Sequence, residues 1–251
     1  ATQSASVEAA SVSAYLAAVS APTYELKFAG NLSNTGSGSS SVTSGNITAT
    51  AANSAGLTGE ATPDTNLGYV QLAATGSEYT WSVNRSMVWI YRVDVALPNG
   101  PYVFSLKAGS SANLEYLHTS GGRMRAKVDG AYAYLDSADS DCYASTANTG
   151  GVTDLTVGTG LKLVIACYDA GASHMRVRYK QAGDGVGHSY YYDWSAPPNS
   201  TSVTNTYNYV TGYGRSGYGA SSTDVDYLYY ALVDHVITDS EFDNIASMIG
   251  L

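Results

Sequence analysis

The chain has 251 residues, only 13% of them charged, and a net charge of −9. Nucleic acids and anionic membrane surfaces bind clustered lysine and arginine. The 12 basic residues are scattered along an acidic chain, which argues against both partners. No apolar run reaches the length of about 18 residues that predicts a membrane-spanning helix, so no membrane insertion is expected.

The residue composition indicates an exposed, sheet-rich protein. Tyrosine is abundant at 22 residues and glycine at 26, whereas there are only 3 phenylalanines. Tyrosine suits strands because it offers an apolar ring with a polar tip. With so few charges, the polar surface must come from Ser, Thr, Asn, Gly and Tyr, as is typical of extracellular or virion proteins.

The first 22 residues differ from the rest and predict a helix. Val7, Val12, Leu16 and Val19 fall near helical spacing, and Pro22 ends the pattern. This segment is either an anchoring or oligomerisation arm or a short helix packed on its own domain. Ala1 follows either removal of an initiator methionine or cleavage of a signal peptide, and no signal peptide is visible. We therefore divide the chain into an N-terminal helix or arm, 1–22, and a sandwich, 23–251.

Alternating apolar and polar residues predict strands from residue 24 onward. A Gly/Ser-rich segment at 34–44 predicts a loop, and Asp129-Gly130 predicts a two-residue hairpin turn. About a dozen short strands at this spacing indicate an all-β sandwich or barrel. The predicted strands are 24–28, 69–73, 87–95, 102–107, 114–118, 123–128, 131–135, 161–168, 174–180, 189–194, 207–213 and 225–233.

A second helix is predicted at the C-terminal end. Thr238 and Glu241 have the spacing of a capping box, in which each side chain accepts from the other residue's backbone amide. Phe242, Ile245 and Ile249 then give one apolar stripe. Of the two cysteines, Cys167 lies in an apolar run that favours burial, so the pair with Cys142 is either one disulfide or two buried thiols.

Several segments, in this order, resemble laminin-G-like domains of the concanavalin A-like lectin/glucanase class. Met87-Val88-Trp89-Ile90-Tyr91 resembles a central strand of that family, and the strand at 162–169 resembles its W-x-H-V-A-x-T-Y-D strand, without the usual Trp and His. The closing strand at 224–235, followed by Ile237-Thr238-Asp239-Ser240-Glu241, is similar to the family's C-terminal signature. The resemblance implies a jelly-roll sandwich of two antiparallel sheets, one of them concave, with short helices at both ends. In lectin-like relatives, sugar or calcium lies on the concave face or at its rim.

Aromatic residues are the candidates for ligand binding. Alternation places Tyr190, Tyr192 and Trp194 on one strand face, and Tyr209 and Tyr213 belong to a second cluster interleaved with glycine. Exposed aromatic rings stack on the apolar faces of sugars or anchor protein contacts. The alternative is that the first of these faces is part of the core.

The acidic residues suggest a calcium site but no catalytic one. Asp136, Asp139 and Asp141 offer three carboxylates within one loop, so either they bind Ca²⁺ or they form a solvated acidic turn. No other cofactor is expected. Glucanases of this fold use E-x-D-x-x-E on a strand, and this motif is absent. Asp224 and Asp226 share a strand face, and we interpret them as a solvated or loop-bonding pair.

The sequence therefore predicts a non-enzymatic protein, for which three functions were weighed. The first is a bacteriophage virion surface protein, either capsid-decorating or tail-associated, that forms homo-oligomers and contacts capsid or tail proteins or glycans. The second is a secreted or cell-surface lectin-like module that binds carbohydrate. The third and weakest is a glycoside hydrolase.

Overall fold

A computed structural model describes sixteen separate segments of the chain. For the described strands between residues 102 and 143, and for 174–175, 188–193 and 207–209, the description covers the backbone alone. The described residues are 11–39, 41–51, 57, 59–65, 68–72, 83–95, 102–108, 111–119, 123–128, 131–134, 141–143, 158–171, 174–183, 188–193, 207–211 and 225–251.

The described segments contain two helices and sixteen strands. In chain order they are α1 (Val12–Val19), β1 (Tyr24–Leu26), β2 (Val42–Gly45), β3 (Ile47–Thr50), β4 (Glu60–Pro63), β5 (Tyr69–Leu72), β6 (Arg85–Val93), β7 (Tyr102–Ala108), β8 (Ser111–Thr119), β9 (Arg123–Val128), β10 (Ala131–Tyr134), β11 (Asp141–Tyr143), β12 (Gly160–Asp169), β13 (His174–Gln181), β14 (His188–Asp193), β15 (Tyr207–Thr211), β16 (Val225–Val233) and α2 (Asp239–Met248). Neither helix of the described segments has the length and apolar character needed to span a bilayer.

The strands form a two-sheet sandwich, as the sequence predicts. One sheet has nine strands in the order β11-β14-β13-β12-β6-β16-β4-β3, with β1 also paired to β16. The other has seven strands in the order β10-β9-β8-β7-β15-β5-β2. Neighbouring strands are antiparallel except for β11, which runs parallel to β14. The sandwich is therefore antiparallel with one parallel pair at an edge.

The inner cluster lies between the two sheets. The nine-stranded sheet contributes large side chains, among them Trp89, Tyr91 and Tyr230, and the seven-stranded sheet contributes Val70 and Val210. Each of these residues is at most 1% exposed. The indole Nε1 of Trp89 donates to the carbonyl oxygen of Val210 at 3.1 Å, so a hydrogen bond joins the sheets across the core.

The outer cluster lies on the other face of the nine-stranded sheet, beneath both helices. Leu16 of α1 and Phe242 and Ile245 of α2 pack there with Ile90 and Leu163 of the central strands. This second cover explains why β6, β12 and β16 are apolar at nearly every position, since both of their faces are buried. The N-terminal helix thus packs on its own sandwich, with Val12, Tyr15 and Leu16 buried.

Most predicted elements are confirmed, and the differences lie mainly at sheet edges. The twelve predicted strands all occur, and β9 and β10 pair as a hairpin, with Ala131 opposite Val128. The capping box at Thr238 and Glu241 is present, and Cys167 is a free, buried thiol. The predicted loop at 34–44 is wrong in its last residues, which begin β2, and β3, β4 and β11 were not predicted.

Candidate functional site

The predicted ligand-binding residues are divided between the two sheets. Tyr190 and Tyr192 lie on β14 of the nine-stranded sheet, in register with Val177 and Met175. Tyr209 lies on β15 of the seven-stranded sheet, in register with Gln71 and Ser105. The side chains of these three tyrosines, and all of Trp194 and Tyr213, lie outside the described residues. Val177 belongs to the inner cluster, so the register assigns the Tyr190 and Tyr192 positions to the inner face of their sheet, apart from Tyr209 on the other sheet.

Strand register assigns positions of the seven-stranded sheet to its two faces. Val70 and Leu72 of β5 are fully buried in the inner cluster, so Gln71 between them belongs to the outer face. Residues directly opposite one another in an antiparallel pair share a face. From Gln71 the pairing leads across the sheet to Tyr209, Ser105, Glu115, Lys127 and Tyr132 in turn.

The outer face of the seven-stranded sheet therefore has many tyrosine positions. Alternation adds Tyr207 to Tyr209 on β15 and Tyr134 to Tyr132 on β10, and Tyr69 lies beside Gln71 on β5. We call this surface the tyrosine face. Both described helices pack on the other sheet, and Tyr69 and Gln71 are partly exposed. The tyrosine face is thus the sheet face that neither described helix covers.

A partly buried ionic network lies on the helix side of the nine-stranded sheet. Arg92 of β6 forms ion pairs with Glu60 of β4 at 3.2 Å, with Asp94 at 2.8 Å, and with Asp226 of β16. Thr62 donates a hydrogen bond to the other oxygen of Asp226. The interpretation of Asp226 as solvated or loop-bonding is therefore wrong, because it is 5% exposed and bonds to two neighbouring strands. Asp224 lies outside the described residues.

The Arg92 network is arranged for structure rather than for glycoside hydrolysis. The pKa of Asp226 lies above its ordinary value. Burial is the largest cause and Asp94 adds to it, whereas the hydrogen bond from Thr62 and the charge of Arg92 lower the pKa only in part. Hydrolases place two carboxyl groups on opposite sides of the scissile bond, with the sugar between them. Here the guanidinium of Arg92 forms ion pairs with all three carboxylates, so a side chain of the protein lies where a sugar would have to bind between them. The network holds strands β4, β6 and β16 together.

Two more networks tie the helices to the nine-stranded sheet. Glu25 of β1 accepts hydrogen bonds from Tyr229 at 2.6 Å and from Thr35 at 2.7 Å, and pairs with Lys27 at 3.2 Å. Near α2, the guanidinium of Arg178 lies 4.0 Å from the ring centroid of Phe242. Arg178 also forms an ion pair with Asp239, the first residue of α2, at 3.2 Å, although its buried Nε has no hydrogen-bond partner among the described residues.

The predicted calcium site lies almost wholly outside the described residues. Of its three residues, Asp141 begins β11, where only the backbone is described, and Asp136 and Asp139 are outside. Within the segments that the structure describes, no three His, Cys, Asp or Glu residues are grouped so that they could hold a metal ion.

Comparison with solved structures gives the same fold in carbohydrate-recognising proteins. A Trypanosoma rangeli sialidase in complex with 2,3-difluorosialic acid matches 92% of this chain at a TM-score of 0.56 and 13% identity. The binding domain of botulinum neurotoxin DC in complex with SialylT also matches 92%, at a TM-score of 0.56 and 10% identity. The chain spans 34% of the sialidase chain and 52% of the neurotoxin chain. The similarity is one of fold.

Comparison of sequences gives no match. The chain matches no protein-family model and no curated protein.

Proposed function

We propose that this chain is a non-enzymatic, lectin-like β-sandwich that binds glycans. The observation that carries the proposal is the tyrosine face, a sheet surface that neither described helix covers and that has six described tyrosine positions, Tyr102 included through its register with Leu117. Aromatic rings on a flat sheet surface stack on the apolar faces of sugars. The proposal is supported by the fold shared with a neurotoxin binding domain in complex with SialylT and with a sialidase bound to a sialic acid derivative. We also propose that the sandwich belongs to the concanavalin A-like class.

A glycan array probed with the purified chain tests the proposal. We expect binding to at least one oligosaccharide class, weakened by substitution of the aromatic residues that contact it. Tyr209→Ala tests the tyrosine face, and Tyr192→Ala is the comparison, because the register assigns Tyr192 to the inner face of the other sheet; thermal unfolding of both variants separates lost binding from lost stability. Trp194→Ala and Tyr213→Ala extend the comparison. Absence of binding to any sugar at millimolar concentration contradicts the proposal.

Absence of enzymatic activity is the second part of the proposal. In the Arg92 network, the guanidinium of Arg92 forms ion pairs with the carboxylates of Glu60 and Asp226. We therefore expect no release of reducing sugar from β-glucans or of sialic acid from sialylated oligosaccharides. Turnover that Asp226→Asn abolishes would overturn this part.

We further propose that the chain lies on the surface of a virion, either on the capsid or on the tail. The alternative is a secreted or cell-surface location. The virion location is supported by the composition, which has few charges and abundant glycine and tyrosine. In this arrangement the chain forms a homo-oligomer that attaches to capsid or tail proteins, and residues 23–251 bind the glycan. Antibody labelling of intact particles and light scattering of the purified chain measure location and oligomeric state.

Calcium binding by Asp136, Asp139 and Asp141 also remains a proposal. If the site exists, added Ca²⁺ raises the thermal unfolding temperature and Asp139→Asn removes the increase. An unfolding temperature unchanged by Ca²⁺ or by a chelator contradicts it.

A further inference from the structure

Four of the 12 basic residues, which the sequence analysis treated as scattered, share one sheet face. Arg123, Arg125 and Lys127 alternate along β9, so all three positions share a face. Lys127 lies in register with Glu115 on one side and Tyr132 on the other, which assigns this group to the tyrosine face. We call Arg123, Arg125 and Lys127 the basic strip.

The charge of this region is opposite to that of the chain. The register places Lys107 on the same face, opposite Tyr207. Among the described positions of this face, four are basic and one, Glu115, is acidic, whereas the net charge of the chain is −9. Of the 12 basic residues in the sequence, one third lie on the outer face of three adjacent strands. A cationic region on an acidic protein favours an anionic ligand at that place.

Tyrosine positions lie immediately beside the basic strip. Tyr132 is in register with Lys127, and Tyr134 with Arg125. Paired strands lie about 4.8 Å apart, and alternate residues of one strand lie about 7 Å apart. The strip therefore extends over about 13 Å. This length suits an extended ligand with several charged groups better than a single sugar acid.

We propose that the basic strip and the adjacent tyrosine positions bind an acidic oligosaccharide, one that bears several carboxylate or sulfate groups. The planar guanidinium of arginine can donate two parallel hydrogen bonds to a carboxylate or a sulfate group. Tyrosine rings stack on the sugar rings that carry these groups. Nucleic acid fits less well, because the strip is short and the rest of the chain is acidic. This inference rests on the proposed glycan-binding function and specifies its ligand class and its location.

The test uses the full chain and four probes in a calorimetric or biosensor titration. The probes are an oligomer of sialic acid, a heparin-derived hexasaccharide, a neutral maltohexaose and a short single-stranded DNA. The first two distinguish carboxylate from sulfate as the recognised group. We expect one of them to bind at least about tenfold more tightly than maltohexaose, with affinity that falls as salt rises.

A matched pair of lysine substitutions locates the site. Lys127→Gln removes one positive charge from the strip, and Lys180→Gln removes one from β13 of the other sheet. We expect Lys127→Gln to weaken binding about threefold, the combined substitution of Arg123, Arg125 and Lys127 by Gln to weaken it about thirtyfold, and Lys180→Gln to leave it unchanged. Circular dichroism and thermal unfolding verify that the variants remain folded.

The outcomes separate this inference from the proposed function. If maltohexaose binds as tightly as the acidic sugars, the chain binds glycans but the acidic class is wrong. If Lys180→Gln weakens binding as much as Lys127→Gln, the location is wrong. If the DNA binds more tightly than either acidic sugar, the ligand class is wrong. If no sugar binds, the inference and the proposed function both fail.

Discussion

The hydroxyl of Tyr229 donates a 2.6 Å hydrogen bond to Oε1 of Glu25, which lies 204 positions earlier in the chain. The two residues lie on neighbouring strands, β16 and β1, beneath helix α1. Burial raises the pKa of Glu25, but hydrogen bonds from Tyr229, Ser13 and Thr35, together with Lys27, lower it below its ordinary value of 4.5. The same carboxylate and burial raise the pKa of Tyr229 well above 10. An ionised carboxylate therefore joins α1, β1 and β16.

The lowered pKa of Glu25 makes the fold acid-sensitive. A carboxylate whose pKa is lower in the folded state stabilises the fold above its unfolded pKa, and this contribution is lost as the pH falls through the folded pKa. We expect Glu25→Gln to cost about 1–3 kcal/mol at neutral pH, because it removes charge-assisted hydrogen bonds. The variant should also show a shallower loss of stability as the pH falls below about 5 in denaturant unfolding.

The companion variant is Tyr229→Phe, which keeps the ring and removes one donor. It should raise the pKa of Glu25 and shift the acid-induced loss of stability to higher pH, as a carboxyl NMR titration measures. An unchanged pKa of Glu25 in this variant would show that the hydrogen bond does not stabilise the carboxylate.

The hydrogen bond between Trp89 and Val210 should contribute to holding the sheets together. Trp89→Phe leaves the buried carbonyl of Val210 without its donor and opens a small cavity, which together should cost about 2–4 kcal/mol. Urea unfolding measures the cost. Ile90→Val is the control, since it lies next along β6 on the other face and should cost about 0.5–1.5 kcal/mol. Equal costs in the two variants would contradict a special contribution from the indole donor.

The strands that the sequence analysis did not predict all lie at or next to the edge of a sheet. β2, β3 and β11 lie at sheet edges, and β4 lies next to an edge. An edge strand has a neighbour on one side only and buries less, so its residues need not be strongly apolar, and β2 and β3 consist largely of Ser, Thr, Ala and Gly. In contrast, β6 and β16 are covered on both faces, and their long apolar runs made them predictable.

Loss of the helix cap should loosen α2 from the outer cluster. The hydroxyl oxygen of Thr238 accepts a hydrogen bond from the backbone amide of Glu241, whose carboxylate in turn accepts one from the amide of Thr238. Thr238→Ala should cost about 1 kcal/mol in thermal or urea unfolding, and Thr238→Ser should cost little because it retains the acceptor. If the two variants are equally destabilised, the methyl group rather than the cap is responsible.

Cys167 should be chemically inert in the folded protein. Burial raises the pKa of its thiol, although Ser86 and the backbone of Ile237 lower it in part, and the net direction is upward. In a Cys142→Ser background, a thiol reagent should therefore react slowly with the native protein and rapidly after unfolding, because the thiolate is the reactive form. Fast reaction under native conditions would indicate that the outer cluster opens readily.

The candidate site was only partly predictable from sequence. The alternation at Arg123, Arg125 and Lys127, and at Tyr132 and Tyr134 beyond the Asp129-Gly130 turn, is visible in the sequence, and a hairpin register would already have aligned the two sets. The face to which they belong depends on the pairing of β15 with β5 and β7, which links residues more than a hundred positions apart. The same long-range pairing separates Tyr209 from Tyr190 and Tyr192.

The position of the helices also determines how the molecule can be oriented on a support. Helix α2 and Leu251 after it pack on the outer cluster, on the side of the sandwich opposite the tyrosine face. A sensor chip or carrier coupled through a linker after Leu251 approaches from the helix side. The sheet face that neither described helix covers then points toward the solution, and copies arrayed in this way present that face in parallel to a ligand of high valency.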